Sequence, residues 1–180
     1  MLILSKGHAY ILLYVILSDL GYFHYSELNN YGKPNVFLQC HPNLNIPGVF
    51  FPSGSLGQGL SGSVGMALTN RKLNNDCKIY VVLIIDYNNF QLDGATDDIM
   101  HIPNLTNIFT NNGFYIEDIN GHEYKEVDKA IIIDVKKTLA ILCRTTKGKE
   151  ISFMENNNEF HSSYLIDKDY NKAIAELEIR

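Results

Sequence analysis

The sequence predicts an α/β fold, a mostly parallel sheet flanked by helices, and three patterns carry that expectation. Residues 77–86 read Cys-Lys-Ile-Tyr-Val-Val-Leu-Ile-Ile-Asp, a nearly continuous β-branched apolar run, as expected of a parallel strand covered on both faces. Residues 138–145 repeat the pattern around Leu139, Ala140, Ile141, Leu142 and Cys143. Elsewhere the apolar period becomes that of a helix, with Val127, Ile131 and Val135 on one stripe and Tyr170, Ala173, Ile174 and Leu177 on another. A chain of 180 residues suffices for one domain with a substantial core, and no repeat or long linker divides it, so residues 1–180 are expected to form a single domain.

Composition narrows the function. With 46% hydrophobic and 19% charged residues the chain reads as globular rather than disordered. Its net charge of −5 leaves no electrostatic case for nucleic acid. Cys40, Cys77 and Cys143 are odd in number and widely spaced, forming neither a metal-ligand pair nor a disulfide framework. They suit a reducing, cytoplasmic setting. Residues 9–17 are apolar but far too few for a membrane span, and Lys6 and His8 interrupt the apolar start, so neither membrane nor signal peptide is expected. The repeated asparagines, Asn156-Asn157-Asn158 among them, read as compositional bias and not as chemistry.

In chain order, Ser5 can cap a helix over 9–20 that Gly21 ends. Ile11, Leu12, Leu13, Val15, Ile16 and Leu17 leave that helix almost no polar face, so burial on most sides is expected. Residues 22–52 read as loop with a short helix near 26–30, because Pro34, Pro42, Pro47 and Pro52 break anything longer. The strand over 77–86 follows the helix that begins near residue 58. Residues 95–112 read as loop and short helix, and 113–119 alternate well enough for a short strand. A turn at Gly121-His122 leads to a helix over 124–136, the strand over 138–145, and a last helix over 167–178.

The stretch Ser53-Gly54-Ser55-Leu56-Gly57-Gln58-Gly59-Leu60 holds three glycines in six residues and runs into a small-residue segment of helical character. Such a turn at a helix start points bare N–H groups and the positive end of the helix dipole at one spot, which suits a phosphate. It equally suits a plain cap on a buried helix. Gly62 and Gly65 lie on one helical face, where another backbone could approach closely. His8, at a helix start, reads as structural or as catalytic, and His41 as an ordinary loop histidine or as a functional one. Lys147-Gly148-Lys149, after a strand, suits either a phosphate or a solvated turn.

Ser53 to Leu60, with Val64-Gly65-Met66-Ala67 after it, resembles the cofactor loop in the N-terminal, diphosphate-binding domain of transketolases. Three further segments resemble the same family in the same order: Leu4-Ser5-Lys6-Gly7-His8-Ala9, His41-Pro42, and Lys147-Gly148-Lys149 through Ser152-Phe153-Met154-Glu155-Asn156-Asn157 to His161. The resemblance implies a shortened thiamine diphosphate-binding fold. It also implies thiamine diphosphate with Mg²⁺ or Ca²⁺ as cofactors, and transfer of a two-carbon ketol unit between sugar phosphates. By it, His8 faces the diphosphate, His41 reaches substrate and cofactor, and His161 lies beside the thiazolium and assists proton movements on the substrate. Gly54, Leu56 and Gly57 would hold the cofactor, and Asn88 and the Phe90 carbonyl would hold the metal.

This chain departs from the family in ways that bear on that chemistry. It has no Gly-Asp-Gly, the start of the family's thiamine diphosphate motif; its apolar strand passes directly into Asp86-Tyr87-Asn88-Asn89-Phe90-Gln91-Leu92-Asp93-Gly94, which resembles the segment around the family's Asn-bearing strand. An internal deletion of one strand-end, helix and strand-start accounts for this, fusing two half-strands and removing the carboxylate of the metal site. Asp86 then either replaces the lost ligand weakly or only closes the strand; the second is favoured. The chain also begins four residues before Ser5, so the family's His-Pro-Gly-Gly-Ser turn is expected to be missing. Cys40, Asn120 and Ser162 stand where the family has Gly, Asp and Gly.

Two functions of different class follow. In one, the chain is the N-terminal half of a split transketolase, needing a C-terminal half as a separate chain and assembling as a homodimer or heterotetramer. In the other, it is a degenerate, non-catalytic remnant that keeps the fold and partner binding. A different thiamine diphosphate enzyme, such as a deoxyxylulose phosphate synthase, fits the segments less well.

Overall fold

The computed structural model of the chain describes residues 3–73, 81–135 and 137–178, without the side chain of Arg71. It divides into two compact units, Met1–Val81 and Val82–Arg180.

In the first unit a 3-10 turn at Gly7–Ala9 leads into α1 (Tyr10–Asp19). Its buried stripe is Tyr10, Leu13, Tyr14, Leu17 and Ser18, a helical repeat that packs on Leu38, Ile46 and Val49 from the following loop. The buried tyrosines keep their hydroxyls satisfied. Tyr10 donates to the Ser53 carbonyl at 2.7 Å and Tyr14 to the Gln39 carbonyl at 3.0 Å. Gly21, at φ +80°, ends the helix as expected. The Tyr22 and Gly21 amides bond back to the Leu17 and Ser18 carbonyls in a Schellman motif. The expectation of burial on most sides fails: Ile11 and Leu12 are 52% and 60% exposed. A 3-10 helix spans Tyr25–Asn30, close to the expected short helix, and α2 spans Gln58–Lys72.

The second unit is built on a three-stranded parallel sheet in the order β1 (Val82–Tyr87), β5 (Leu139–Arg144), β4 (Tyr115–Asn120). Register runs from Val82 opposite Leu139 to Tyr87 opposite Arg144, and from Tyr115 opposite Leu139 to Asn120 opposite Arg144. The central strand is buried from Leu139 to Cys143, as its apolar run requires. On β1, residues facing one way are exposed, Ile84 among them, so the strand expected to be covered on both faces is open on one. Residues 77–80 of that expected strand lie outside the described residues, as does Lys136 of the expected helix over 124–136.

Parallel strands need crossovers, and the helices supply them. A two-residue hairpin of β2 (Phe90–Gln91) and β3 (Gly94–Ala95), then α3 (Thr96–Ile99) and α4 (Leu105–Asn111), connect β1 to β4. The amphipathic α5 (Tyr124–Ile131) joins β4 to β5, burying Ala130 and Val127 against Ile119, Leu139 and Ile141. A 3-10 turn at Asn158–His161 precedes α6 (Asp167–Glu178), which matches the expected final helix. No helix among the described residues is long and apolar enough to cross a membrane.

Candidate functional site

The first unit carries His8, His41, Gly54, Leu56 and Gly57; the second carries Asp86, Asn88, Phe90 and His161.

In the first unit, two segments separated by about fifty residues of loop and helix meet through glycine and one hydroxyl. Ser5 Oγ accepts from the Gly57 and Gly59 amides, each at 3.1 Å. Ser5 therefore caps the start of α2 and not, as its sequence position suggests, that of α1, whose preceding 3-10 turn has no side-chain cap. The same bonds correct the picture of bare N–H groups at this turn, since two of them are spent on Ser5. Gly7 is buried so close to the loop that a Cβ there would collide with the Gly54 carbonyl oxygen. Gly57 holds φ +85°, a left-handed conformation that a side chain would strain. Gly62 does admit a close neighbour, the Phe51 ring, where a Cβ would lie 2.6 Å from it, whereas Gly65 has open space.

This packing leaves Leu56 at the crest of the loop, 69% exposed, and His8 exposed beside the buried Gly7. Burial, and after it the Lys6 charge, lower the His8 pKa from its ordinary value, so its neutral form is favoured at neutral pH. A neutral imidazole can still donate one hydrogen bond. His41 is exposed in the loop before the buried Pro42, and Cys40 ahead of it is exposed as well.

In the second unit, the hairpin after β1 is shaped by its asparagines. Asn88 Oδ1 accepts from the Phe90 amide at 3.0 Å, and Asn89 turns the chain at φ +64° while its carbonyl accepts from the Thr96 amide at 2.8 Å. The carboxylate of Asp86 accepts a short bond from the Thr145 hydroxyl, which joins β1 to the residue after β5. Burial and the Asp86 charge raise the thiol pKa of Cys143, its register partner. No group of three or more His, Cys, Asp or Glu that could hold a metal ion occurs among the described residues. The donors at the expected metal position are two neutral oxygens, Asn88 Oδ1 and the Phe90 carbonyl, with the Asp86 carboxylate, bonded to Thr145, as the one charged candidate, a poor fit for a hard divalent cation that takes six or more oxygens.

His161 has partners that sequence reasoning did not find. Lys147 Nζ lies 2.6 Å from Asn158 Oδ1 and 3.1 Å from His161 Nδ1, and 5.8 Å from the centre of the Phe90 ring. Asn158 Nδ2 donates in turn to the Leu92 carbonyl at 2.7 Å, in the connection of the β2–β3 hairpin. Lys147 had a signal, its place in a basic loop after a strand; Asn158 had none, because it sits in an asparagine run. Nearby, Arg144 makes a two-point ion pair with Asp118, both contacts 2.9 Å, and its guanidinium lies 4.6 Å from the centre of the Tyr87 ring. That pair holds the Asp118 carboxyl below its ordinary value.

Fold and loop together define an α/β protein with a cofactor-type glycine turn, and known proteins narrow the class. Residues 1–80 match the family model described as the transketolase, thiamine diphosphate binding domain. The chain is 30% identical to the 6-deoxy-6-sulfo-D-fructose transketolase subunit SqwG of Clostridium sp., with 98% of this chain and 76% of the relative covered. It is 28% identical to an apulose-4-phosphate transketolase subunit from Phocaeicola vulgatus, with 99% and 74% covered. Both alignments run to 208 positions against 180 residues here, so each relative carries at least 28 residues without a counterpart in this chain. The transketolase structure from Campylobacter jejuni superposes with a TM-score of 0.88 at 25% identity, over 98% of this chain and 34% of that one. The chain thus spans about a third of the length of that transketolase.

It belongs to the transketolase family, as its thiamine diphosphate-binding N-terminal part.

Proposed function

We propose that this chain, residues 1–180 acting as one N-terminal-like domain, is part of a thiamine diphosphate-dependent enzyme that transfers a two-carbon ketol unit between sugar phosphates. The observation that carries the reading is the junction in the first unit. Ser5 and Gly7 of the Ser-Lys-Gly-His segment dock on Gly54, Gly57 and Gly59 of the glycine loop. The collision that any Cβ on Gly7 would cause ties that residue's identity to the presence of the loop. Gly54, Leu56 and Gly57 form the cofactor loop in this reading, with His8, His41 and His161 as the catalytic side chains. Thiamine diphosphate supplies the carbanion chemistry when bound. Two relatives, each covered to about three quarters of its length (74% and 76%), are named as subunits, which supports a separate partner chain holding the C-terminal half. The assembly is a homodimer or heterotetramer in the cytoplasm, acting on sugar phosphates.

Mg²⁺ or Ca²⁺, held through Asn88 and the Phe90 carbonyl with at most Asp86 beside them, binds weakly, because the Gly-Asp-Gly carboxylate is missing from the sequence. The same shortage favours a second reading, a non-catalytic remnant that retains the fold and partner binding. Titration calorimetry separates them. The isolated chain is expected to bind thiamine diphosphate and Mg²⁺ no tighter than micromolar, and submicromolar binding would contradict the weak-metal assignment. Mixed with a C-terminal transketolase half, the chain is expected to show ketol transfer that His8→Ala and His161→Ala abolish. No turnover in that mixture, with the two chains associated, would establish the remnant instead.

A further inference from the structure

The polar cluster around Lys147 assigns a proton. Asn158 faces the Leu92 carbonyl with one end of its amide and Lys147 with the other. A carbonyl oxygen can only accept, so the atom toward Leu92 is Nδ2 and the atom toward Lys147 is Oδ1. The 2.6 Å contact is then a charge-assisted bond from an ammonium to an amide oxygen. An ammonium has no lone pair. At 3.1 Å from His161 Nδ1 it can only donate, so Nδ1 accepts and the ring proton of neutral His161 sits on Nε2. The reverse arrangement needs a neutral lysine, whose ordinary pKa stands about four units above that of histidine.

We propose that Lys147 and Asn158 are positioning residues that lock His161 as the Nε2–H tautomer, so that the ring serves its site as a hydrogen-bond donor and not as a base. With Nε2 carrying the proton, the neutral ring's one basic lone pair, on Nδ1, is taken up by the Lys147 ammonium and does not face a substrate proton. It can hold a phosphate or carbonyl oxygen. This changes the expectation that His161 moves protons on the substrate. Asn158 extends the lock to the β2–β3 hairpin through Leu92, so the segment bearing Asn88 and Phe90 is tied to the same lysine. What His161 donates to rests on the transketolase reading; its tautomer does not.

The test is nitrogen NMR of the full chain labelled with ¹⁵N-histidine, at about pH 8, where imidazoles of ordinary pKa are neutral. His161→Gln identifies the His161 signals by their loss. The expected spectrum has a protonated Nε2 and an Nδ1 shifted as an acceptor of a hydrogen bond. Lys147→Met should move the Nδ1 resonance to that of an acceptor without a donor, and Lys147→Arg should move it less. Asn158→Ala should give an intermediate shift while leaving the amide spectrum of the sheet unchanged. A proton on Nδ1 in the unaltered chain overturns the proposal, whatever the variants do. So does an Nδ1 resonance that neither Lys147→Met nor Asn158→Ala moves. The measurement needs no cofactor, so a chain that fails to bind thiamine diphosphate in calorimetry still reports which ring nitrogen holds the proton.

Discussion

Ser5 shows how one hydroxyl can be read correctly as a cap and assigned to the wrong helix. Capping preference is local, but the amides it satisfies, Gly57 and Gly59, lie more than fifty positions away, and nothing in the spacing reveals that. Ser5→Ala strands both donors and is expected to cost about 1 kcal/mol in urea unfolding, with Ser5→Thr close to the parent; an unchanged midpoint would remove the junction from the stability of the first unit. The Asp118–Arg144 pair supplies a pH dependence. Because the folded-state pKa of Asp118 lies below its ordinary 3.8, the unfolded chain binds the proton more readily. The stabilisation is therefore fully present above pH 3.8 and fades as pH falls through the lowered folded value. Both side chains are substantially exposed, at 50% and 40%, so Asp118→Asn should cost under about 1 kcal/mol near neutrality. Thermal melts of parent and variant should converge in acid, and a gap that persists there would mean that the carboxylate charge is not what Arg144 recognises. Asn158 marks the opposite limit of legibility. Its position in a run of asparagines disguised an amide that bridges Lys147 and the hairpin.

At the level of elements, apolar patterns located α1, β1, α5, β5 and α6, because burial of a stripe or a run is what those patterns record, whereas the short β2–β3 hairpin left no such signal. They misjudged how much each element is covered. The β5 run and the β1 run look alike in sequence, yet Ile141 is 1% exposed and Ile84 is 56% exposed. The difference is one of place: β5 is flanked by a strand on each side, while β1 is an edge with one face open. Ile141→Ala is therefore expected to cost about 2–5 kcal/mol through lost burial and the cavity left behind, whereas Ile84→Ala should stay within about 0.5 kcal/mol. Denaturant unfolding of the two variants measures both. Equal losses would mean that the open face of β1 is covered in solution. α1 makes the same point in the first unit, since Ile11 and Leu12 carry an apolar signal that no neighbour among the described residues absorbs.

For the molecule as a whole, two boundaries fall together, and the relatives are longer than this chain. The family model stops at residue 80, the compact units divide after Val81, and the relatives are at least 28 positions longer over alignments that take in almost all of this chain. The sequence has no Gly-Asp-Gly, and the internal deletion proposed to account for that lies just before Asp86. The fold tolerates such a loss because a βα unit can leave a parallel sheet without reversing the chain. A divalent-metal site would tolerate it poorly, since charge on the ligands sets the affinity for a hard cation. Restoring the segment is thus a test of cause. Grafting a strand-end with Gly-Asp-Gly, a helix and a strand-start ahead of Asp86 should raise the affinity for thiamine diphosphate with Mg²⁺ about tenfold, which corresponds to about 1.4 kcal/mol. The same graft with its motif Asp replaced by Asn should fold equally and gain little. If both grafts bind alike, the carboxylate is not what this chain lacks, and the weakness of the site must lie in its loops, where Cys40 and Ser162 stand for the family's glycines.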